Sequence, residues 1–438
     1  ITIPSGATIT NNGTQTGFGR TGTVDWQTTP KTTTFTAVNG EGYFVDTSSG
    51  AVTANLPAGT AGAIVAFADY TRTFEDNNLT ITPNGSNKIG GIGDDATLNV
   101  NGQSATFVFV DATEGWINVQ ETQTSQTGAA FITATGGSVT TECTNFKVHV
   151  FTSPGTFCIS AGGGPLAVAD YFVVAGGGGG GGASSGYDSG GAGGGGGFRI
   201  ANTTCMPSPQ TSPLASGTAL PFSPGPYSVT VGAGGTGSPT GSNCRGASGS
   251  SSVFSTITSA GGGGGGSIGA PATCKTGADG GSGGGGGGGS SVVAGGSGNT
   301  PTVSPPQGNN GGPGGGAPLN YYGGGGGGAA CAGAKGESPN TGGPGGSGSF
   351  VVQAGFAGCN GTPGPVSGAR YFSGGGGGGG TPQRPVTGGG SPGTGGGGNG
   401  GPPNINGSTN TGGGGGGGED SAGGNGGSGI VIIRYKFQ

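Results

Sequence analysis

Charge is scarce in this 438-residue chain, which has 13 Lys and Arg, 18 Asp and Glu, and one histidine. Disordered chains are usually rich in charge, so this composition is not typical of a solvated polyelectrolyte. The cations do not cluster, and phosphate binding needs a basic surface, which argues against a nucleic-acid partner. No apolar run reaches about 18 residues, so we expect no membrane insertion. No signal-peptide pattern is present, although a start at Ile1 suggests an upstream segment.

Motifs for metal binding and catalysis are also missing. The seven cysteines form no Cys-x-x-Cys pair and their spacing does not fit zinc. The GxSxG match at 280–284 lies in a glycine run and not at a strand-to-helix turn, and His149 is the only possible base for it. We interpret His149 as a solvated or edge-strand residue that shares a face with Lys147. The sequence therefore predicts no enzyme, no metal and no cofactor.

The cysteines all lie after residue 140 and stand singly among few apolar residues. Disulfides in an oxidising exterior stabilise domains of this kind, whereas buried free thiols are the alternative. The pairing stays open, with up to three disulfides and one cysteine left over. The candidates are Cys143, Cys158, Cys205, Cys244, Cys274, Cys331 and Cys359.

The N-terminal part is rich in β-forming residues. Residues 1–30 are predicted to be a polar connector with short strands within Ile1–Thr10, and residues 31–120 a compact β module. Asn-Gly dipeptides separate several of the module's strands, and Asn-Gly is a strong hairpin signal. The sequence predicts an all-β sandwich, meander or barrel with essentially no α-helix. The dipeptides begin at Asn39, Asn84 and Asn101.

Glycine dominates the rest of the chain. Residues 1–140 contain 19 of the 121 glycines, which leaves 121 − 19 = 102 in the remaining 298 residues. Glycine does not recur at every third position, so a collagen helix is excluded. After a linker at 121–128 we predict a glycine-rich domain at 129–438. Its β base is formed by 129–174 and 428–438, and its glycine-helix array by 175–427.

Polyglycine II helices are the ordered structure that fits these runs. They have three residues per turn and no internal hydrogen bonds, so neighbouring helices must pair their N–H and C=O groups. Without Cβ atoms the backbones can approach closely enough to do so. The β-branched run at 430–437 is predicted to return as a strand beside 146–174. The loops between glycine runs would then lie at the far end.

Three non-glycine stretches carry a family likeness: 146–157, 171–175 before a glycine run, and 426–435. They resemble segments of the glycine-rich tail-fibre and receptor-binding proteins of tailed phages, especially phages of cyanobacteria. The resemblance implies a location on the virion and binding to a host-surface glycan or outer-membrane protein. It also implies a sandwich of glycine helices whose loops select the receptor.

Receptor binding is assigned to aromatic and cationic residues between the glycine runs. Exposed rings supply contact area at low cost in entropy. The alternative is that these rings fold back and cover the glycine layers. The candidates are Tyr187, Tyr321, Tyr322, Arg370, Tyr371, Phe372 and Arg384.

The sequence thus predicts an extracellular structural and adhesive protein, a phage tail fibre or fibre-tip adhesin that is trimeric through its N-terminal part. The alternative is a subunit of an extracellular helical filament, in which strands such as Ile1–Thr10 pair with the neighbouring protomer. A glycan hydrolase is a third hypothesis, because carboxylates distant in sequence can meet in the fold.

Overall fold

The chain is almost entirely β-strand and extended glycine backbone, which confirms the predicted all-β class. It divides into two compact units, Ile1–Phe131 with Gly163–Leu166 and Ile132–Gly162 with Ala167–Gln438. Among the described residues, α1 (Ala272–Lys275) is the one α-helix, and no helix there is long and apolar enough to cross a membrane. The computed structural model describes residues 24–120, 130–142, 145–163, 166–183, 189–201, 212–216, 219–242, 244–268, 272–316, 321–336, 341–381, 388–402 and 405–437.

The first unit contains nine described strands: β1 (Asp25–Lys31), β2 (Phe35–Thr36), β3 (Glu41–Val45), β4 (Val52–Asn55), β5 (Ile64–Asp69), β6 (Leu79–Thr82), β7 (Ala96–Leu98), β8 (Ser104–Phe109) and β9 (Trp116–Asn118). They form two sheets, with strand orders β1-β3-β5-β8-β9 and β2-β4-β6-β7. The first three strands of each sheet are parallel, because the chain alternates between the sheets as it advances. Strand β1 begins at Asp25, six residues before the predicted start of the module at residue 31, and the rest of the predicted connector and linker lies largely outside the described residues.

The Asn-Gly dipeptides mark turns, but the hairpin interpretation is wrong for Asn39-Gly40 and Asn101-Gly102, whereas the strands on either side of Asn84-Gly85, β6 and β7, do pair antiparallel. Gly40, Gly85 and Gly102 have the positive φ angles of 89°, 56° and 78° that such turns need. The turns at Gly40 and Gly102 carry the chain from one sheet to the other, from β2 to β3 and from β7 to β8. Local turn chemistry sets the dihedral angles, whereas the core between the sheets decides which strands pair. That core includes Tyr43, Phe67, Phe107 and Trp116.

The second unit has fourteen described strands: β10 (Ala130–Thr135), β11 (Ser138–Glu142), β12 (Phe146–Phe151), β13 (Gly155–Gly163), β14 (Val168–Val174), β15 (Phe198–Ala201), β16 (Ala215–Ser216), β17 (Leu220–Pro221), β18 (Gly225–Thr230), β19 (Ser252–Phe254), β20 (Ile257–Ser259), β21 (Ser349–Val352), β22 (Ala369–Phe372) and β23 (Ile430–Lys436). A central sheet has the order β11-β12-β23-β14-β15-β16, and a second sheet has the order β10-β13-β18-β19-β20. Strand β23 pairs with both β12 and β14, so the predicted return of the closing strand is confirmed.

Both faces of the central sheet are covered, which explains the continuous apolar sequence of β23. Val431, Ile433 and Tyr435 face the second sheet, while Ile430 and Ile432 face the hairpin of β21 and β22. Strands of this base continue directly into glycine segments, as β14 does at 175–183.

Arg434 is the buried one of the two charged side chains of β23. Its Nη2 lies 2.7 Å from Asp170 Oδ2 on the paired strand β14, and both side chains are about 95% buried. The guanidinium carbon lies 5.0 Å from the ring centre of Phe146 and 4.8 Å from that of Phe356. An opposite charge and two aromatic faces thus replace the water that a buried cation loses.

The glycine segments form the predicted polyglycine II array. In the glycine helix at 176–181, residues three apart donate N–H bonds of 2.8 to 3.0 Å to the same neighbouring segment. The carbonyl oxygens of 176–181 accept bonds of 2.9 Å from three further segments. The accepting neighbours are 191–194, 247–250 and 424–427, and the donating ones are 235–238, 262–265 and 415–418. Six neighbours around one three-fold helix make a hexagonal lattice of backbone.

Glycine is required here because it lacks Cβ, not because of its conformational freedom. The residues of 190–197 keep negative φ. A Cβ on Gly193 would overlap the carbonyl group of Gly178, which belongs to a neighbouring helix. An inward glycine such as Gly193 is therefore closed to any side chain, and the few inward side chains that the array holds are small, as at Ala192 and Ser282.

Outer helices follow an x-Gly-Gly pattern in which x points away from the array. Ala233, Thr236 and Pro239 are exposed at intervals of three residues. Between them, Gly235 and Ser238 donate to the central helix at 2.9 Å. The outward side chains leave no room for a further helix, and proline has no N–H to donate to one. The lattice therefore ends at this outer surface.

Gly193→Ala should destabilise the second unit, since the added methyl group must separate two hydrogen-bonded helices. We expect the free energy of unfolding to fall by about 3 kcal/mol or more. Thr236→Ala is the matched control and should stay within about 0.5 kcal/mol of the wild type. Denaturant unfolding of the full chain measures both, and equal midpoints for the two variants would contradict the array.

His149 is completely buried, so its interpretation as a solvated or edge residue is wrong. Strand β12 lies between β11 and β23, and the imidazole packs 5.5 Å from Tyr435 and 5.0 Å from Phe157 between ring centres. Nδ1 must carry the proton, because it bonds the carbonyl oxygen of Gly136 at 2.7 Å. Nε2 then accepts from the Tyr435 hydroxyl at 3.1 Å. Burial, and next the charge of Lys147, lower the His149 pKa below its ordinary 6.5, although the Gly136 bond opposes this.

Acid should therefore destabilise the second unit. At pH values between the lowered folded-state pKa of His149 and about 6.5, the unfolded chain binds more protons than the folded chain. The stabilisation by neutral His149 is therefore complete above this pH range and is lost below it. We expect the melting temperature to fall from about pH 7.5 to about pH 5. In His149→Gln, whose amide can make both bonds without titrating, the fall should be smaller. An identical pH dependence in both proteins would assign it to groups other than His149.

Candidate functional site

The turns farthest from the β base form one surface, which we call the distal end. It is represented by Ser189, Gly288, Tyr321 and Glu419. Helix 175–183 leaves the base and helix 190–197 returns to it, so Ala183 and Ser189 lie at this end. The distal end gathers chain reversals that are far apart in sequence.

Ser189 connects four of these segments. It is buried, its hydroxyl donates to the carbonyl oxygen of Tyr321, and its own carbonyl accepts from the Gly288 N–H at 2.9 Å. It also forms an isolated antiparallel bridge with Glu419. A small polar side chain thus holds the turns together where the glycine lattice stops.

Acidic groups mark part of this surface. Glu419 is half-buried, and burial together with the neighbouring charge of Asp420 raises its pKa. Asp420 is exposed and has a positive φ of 44°, which holds the turn tightly. The described ranges contain no group of three or more residues that could hold a metal ion. The distal end can therefore offer a ligand polar and acidic contacts beside an aromatic ring.

The predicted binding residues do not form one cluster. Tyr321 is half-buried at the distal end, whereas Tyr322 is 2% exposed and packs against Gly336. Arg370 is half-buried in β22 at the base. Tyr187 and Arg384 lie outside the described residues.

Tyr371 and Phe372 are buried in the same strand and cover the base. The ring centre of Phe372 lies 4.7 Å from that of Phe172, and Tyr371 lies 5.3 Å from Phe350. These two rings and that of Tyr322 fold back on the domain, as the alternative interpretation of the aromatic residues predicts. Tyr321 is the one predicted ring that is both described and partly accessible.

The cysteines do not pair in the part of the chain that the structure describes. Five of them are free thiols, four of them exposed and Cys274 half-buried, so the disulfide prediction finds no support among them. Cys143 and Cys205 lie outside the described residues. The exposed four are Cys158, Cys244, Cys331 and Cys359.

The GxSxG match at 280–284 lies within the glycine array. Ser282 is completely buried, and its N–H bonds the carbonyl oxygen of Gly195 at 3.1 Å. This serine is a lattice position and not the exposed tip of a strand-to-helix turn, as a nucleophile elbow requires.

Comparison with known families gives one match. A family model described as a glycine-rich domain matches residues 152–436, and the chain therefore belongs to this family. No curated protein matches the chain.

Sequence reasoning missed Ser189 and Glu419 as residues of the distal end. The available signal was the phase of the glycine pattern. Non-glycine residues at intervals of three mark outer helices, whereas Gly418-Glu419-Asp420 breaks the pattern after an unbroken run. Such breaks locate the turns.

The adjacent tyrosines at 321 and 322 offer a matched test of the site. Tyr322→Ala removes a buried ring and should lower the free energy of unfolding by about 3 kcal/mol. Tyr321→Ala should cost less than about 1 kcal/mol. Thermal or denaturant unfolding distinguishes them, and a larger loss for Tyr321→Ala would show that the two positions are assigned the wrong way round.

Proposed function

We propose that this protein is an extracellular adhesin, a tail fibre or fibre-tip protein of a tailed phage, whose distal end binds a receptor on the host surface. The observation that carries the proposal is the collection of turns at one end of a backbone-bonded lattice. The array works as a rigid scaffold, and the turns are the part that can vary without breaking it.

The surface chemistry of the array supports this division. Its outer positions carry small or imino side chains such as Ala233, Thr236 and Pro239. Such a surface is poor in the aromatic and arginine residues that dominate binding energy at interfaces. At the distal end, in contrast, Tyr321, Glu419 and Asp420 combine a ring with carboxylates. A host glycan or outer-membrane protein is the proposed receptor.

Binding to intact cells tests the role of the distal end. We would label the full chain and measure its binding to a panel of cyanobacterial cells. Tyr321→Ala combined with Asp420→Ala should weaken binding at least about tenfold, a loss of about 1.4 kcal/mol. The control combines Thr236→Ala with Ser297→Ala on exposed outer helices and should bind as the wild type does. Equal losses in both variants would contradict a distal receptor site.

Electron microscopy of the native particles that carry the protein tests its location. Antibody-labelled copies at the tips of tailed virions would support a fibre. A continuous helical polymer without virions would instead favour the filament hypothesis.

A further inference from the structure

Strand β11 is an open edge of the central sheet. It pairs with β12 in unbroken register from Ser138 to Glu142, and its first four residues are exposed. From Ser138 to Thr141 its sequence contains no proline, charged residue or bulge, the features that usually protect an edge from pairing with another chain, and Glu142 is its one charged residue. Strand β1 of the first unit has such protection, because Pro30 and a register shift interrupt it. Strand β11 is therefore suited to accept a further strand.

A cleft opens at one end of this edge. Its volume is about 450 Å³, and it lies between the turn at 136–138 and the hairpin at 150–156. Gly136 and Gly137, with φ of 113° and 63°, turn the chain from β10 in one sheet to β11 in the other, so the two sheets part here. Phe151 lies beside both glycines and provides an apolar wall. The cleft adjoins the edge at Ser138, and we call the edge and the cleft together the groove.

The register of β11 defines which side chains an incoming strand needs. Val139 is opposite His149, on the face that borders the core between the two sheets, and it is 47% exposed. Thr140, opposite Val148, lies on the other face. An added strand would thus place apolar residues beside Val139 and toward the cleft, and small polar residues beside Thr140. The required pattern alternates isoleucine or valine with threonine.

We propose that this groove binds the Ile1–Thr10 segment of a second copy of the chain by β-strand addition. Twenty-three residues precede Val24 outside the described structure, and the segment contains Ile1-Thr2-Ile3 and Ala7-Thr8-Ile9-Thr10. These stretches have the required alternation and no charge. Strand addition pairs the backbone groups of the β11 edge and brings an isoleucine toward Phe151. Such pairing joins one copy of the chain to the next, which goes beyond receptor binding.

Hydrogen exchange of the full chain tests the proposal. The amides of 138–142 should exchange slowly in concentrated protein and quickly after dilution, as binding between copies requires. A synthetic peptide of residues 1–10, added to the dilute protein at about ten times its Kd, should slow their exchange about tenfold. A peptide with its three isoleucines replaced by asparagine should have no effect, and edge strand β20 should not respond.

Two proline variants, Thr140→Pro and Thr141→Pro, test the edge itself. N–H groups of neighbouring residues point in opposite directions in a strand, so one of the two prolines faces outward and leaves the pairing with β12 intact. The variant whose melting temperature is unchanged should lose self-association in light scattering, while the corresponding valine variant keeps it. Protection of 138–142 that is independent of concentration would place the segment in its own chain and overturn the proposal. Absence of protection at every concentration, with no effect of the peptide, would also overturn it.

Discussion

The hydrogen bond between backbones of neighbouring glycine helices is the interaction on which the second unit depends. Each bond is modest once the lost bonds to water are counted. Every residue of a central helix makes such bonds, however, and almost none can be replaced, because a Cβ would enter the neighbouring backbone. The low apolar content of the chain is thus a consequence of its architecture. The lattice satisfies polar groups where an ordinary core buries apolar side chains.

A lattice of glycine has a weakness that the β base corrects. A glycine helix shifted by three residues against its neighbours would make equivalent bonds, because no side chain distinguishes one turn from the next. Strands rise about 3.3 Å per residue and polyglycine II helices about 3.1 Å, so a strand can continue into a helix without a change of direction. The side chains that interlock in the base, among them Phe172 and Arg434, therefore set the register of the helices that follow. At the border Gln307 accepts from the Ala260 N–H and donates to the Pro301 carbonyl, each at 2.8 Å.

Sequence reasoning succeeded where one local property determines the outcome. Unbroken glycine runs leave one ordered solution, and the run at 430–437 has both the length and the apolar character of a strand buried on two faces. It failed where partners distant in sequence decide. Asn39-Gly40 specifies a turn but not the sheet that receives the next strand, and the burial of His149 depends on Tyr435, which is 286 residues away. The positions of Tyr371 and Phe372 follow from the hairpin that covers the base. No local sequence pattern predicts that this hairpin packs there.

The same separation of roles explains why the predicted binding residues divide between the two ends of the domain. Rings at the base occupy a packed core, where a change of shape disturbs the strands that hold the helices in register. Turns at the distal end make few of the lattice bonds, so their side chains can change at low cost to stability. The proposed receptor surface is best placed where its residues contribute least to the fold. In this molecule the distal end meets that condition, and the outer helices, whose every third residue must close the lattice, meet it less well.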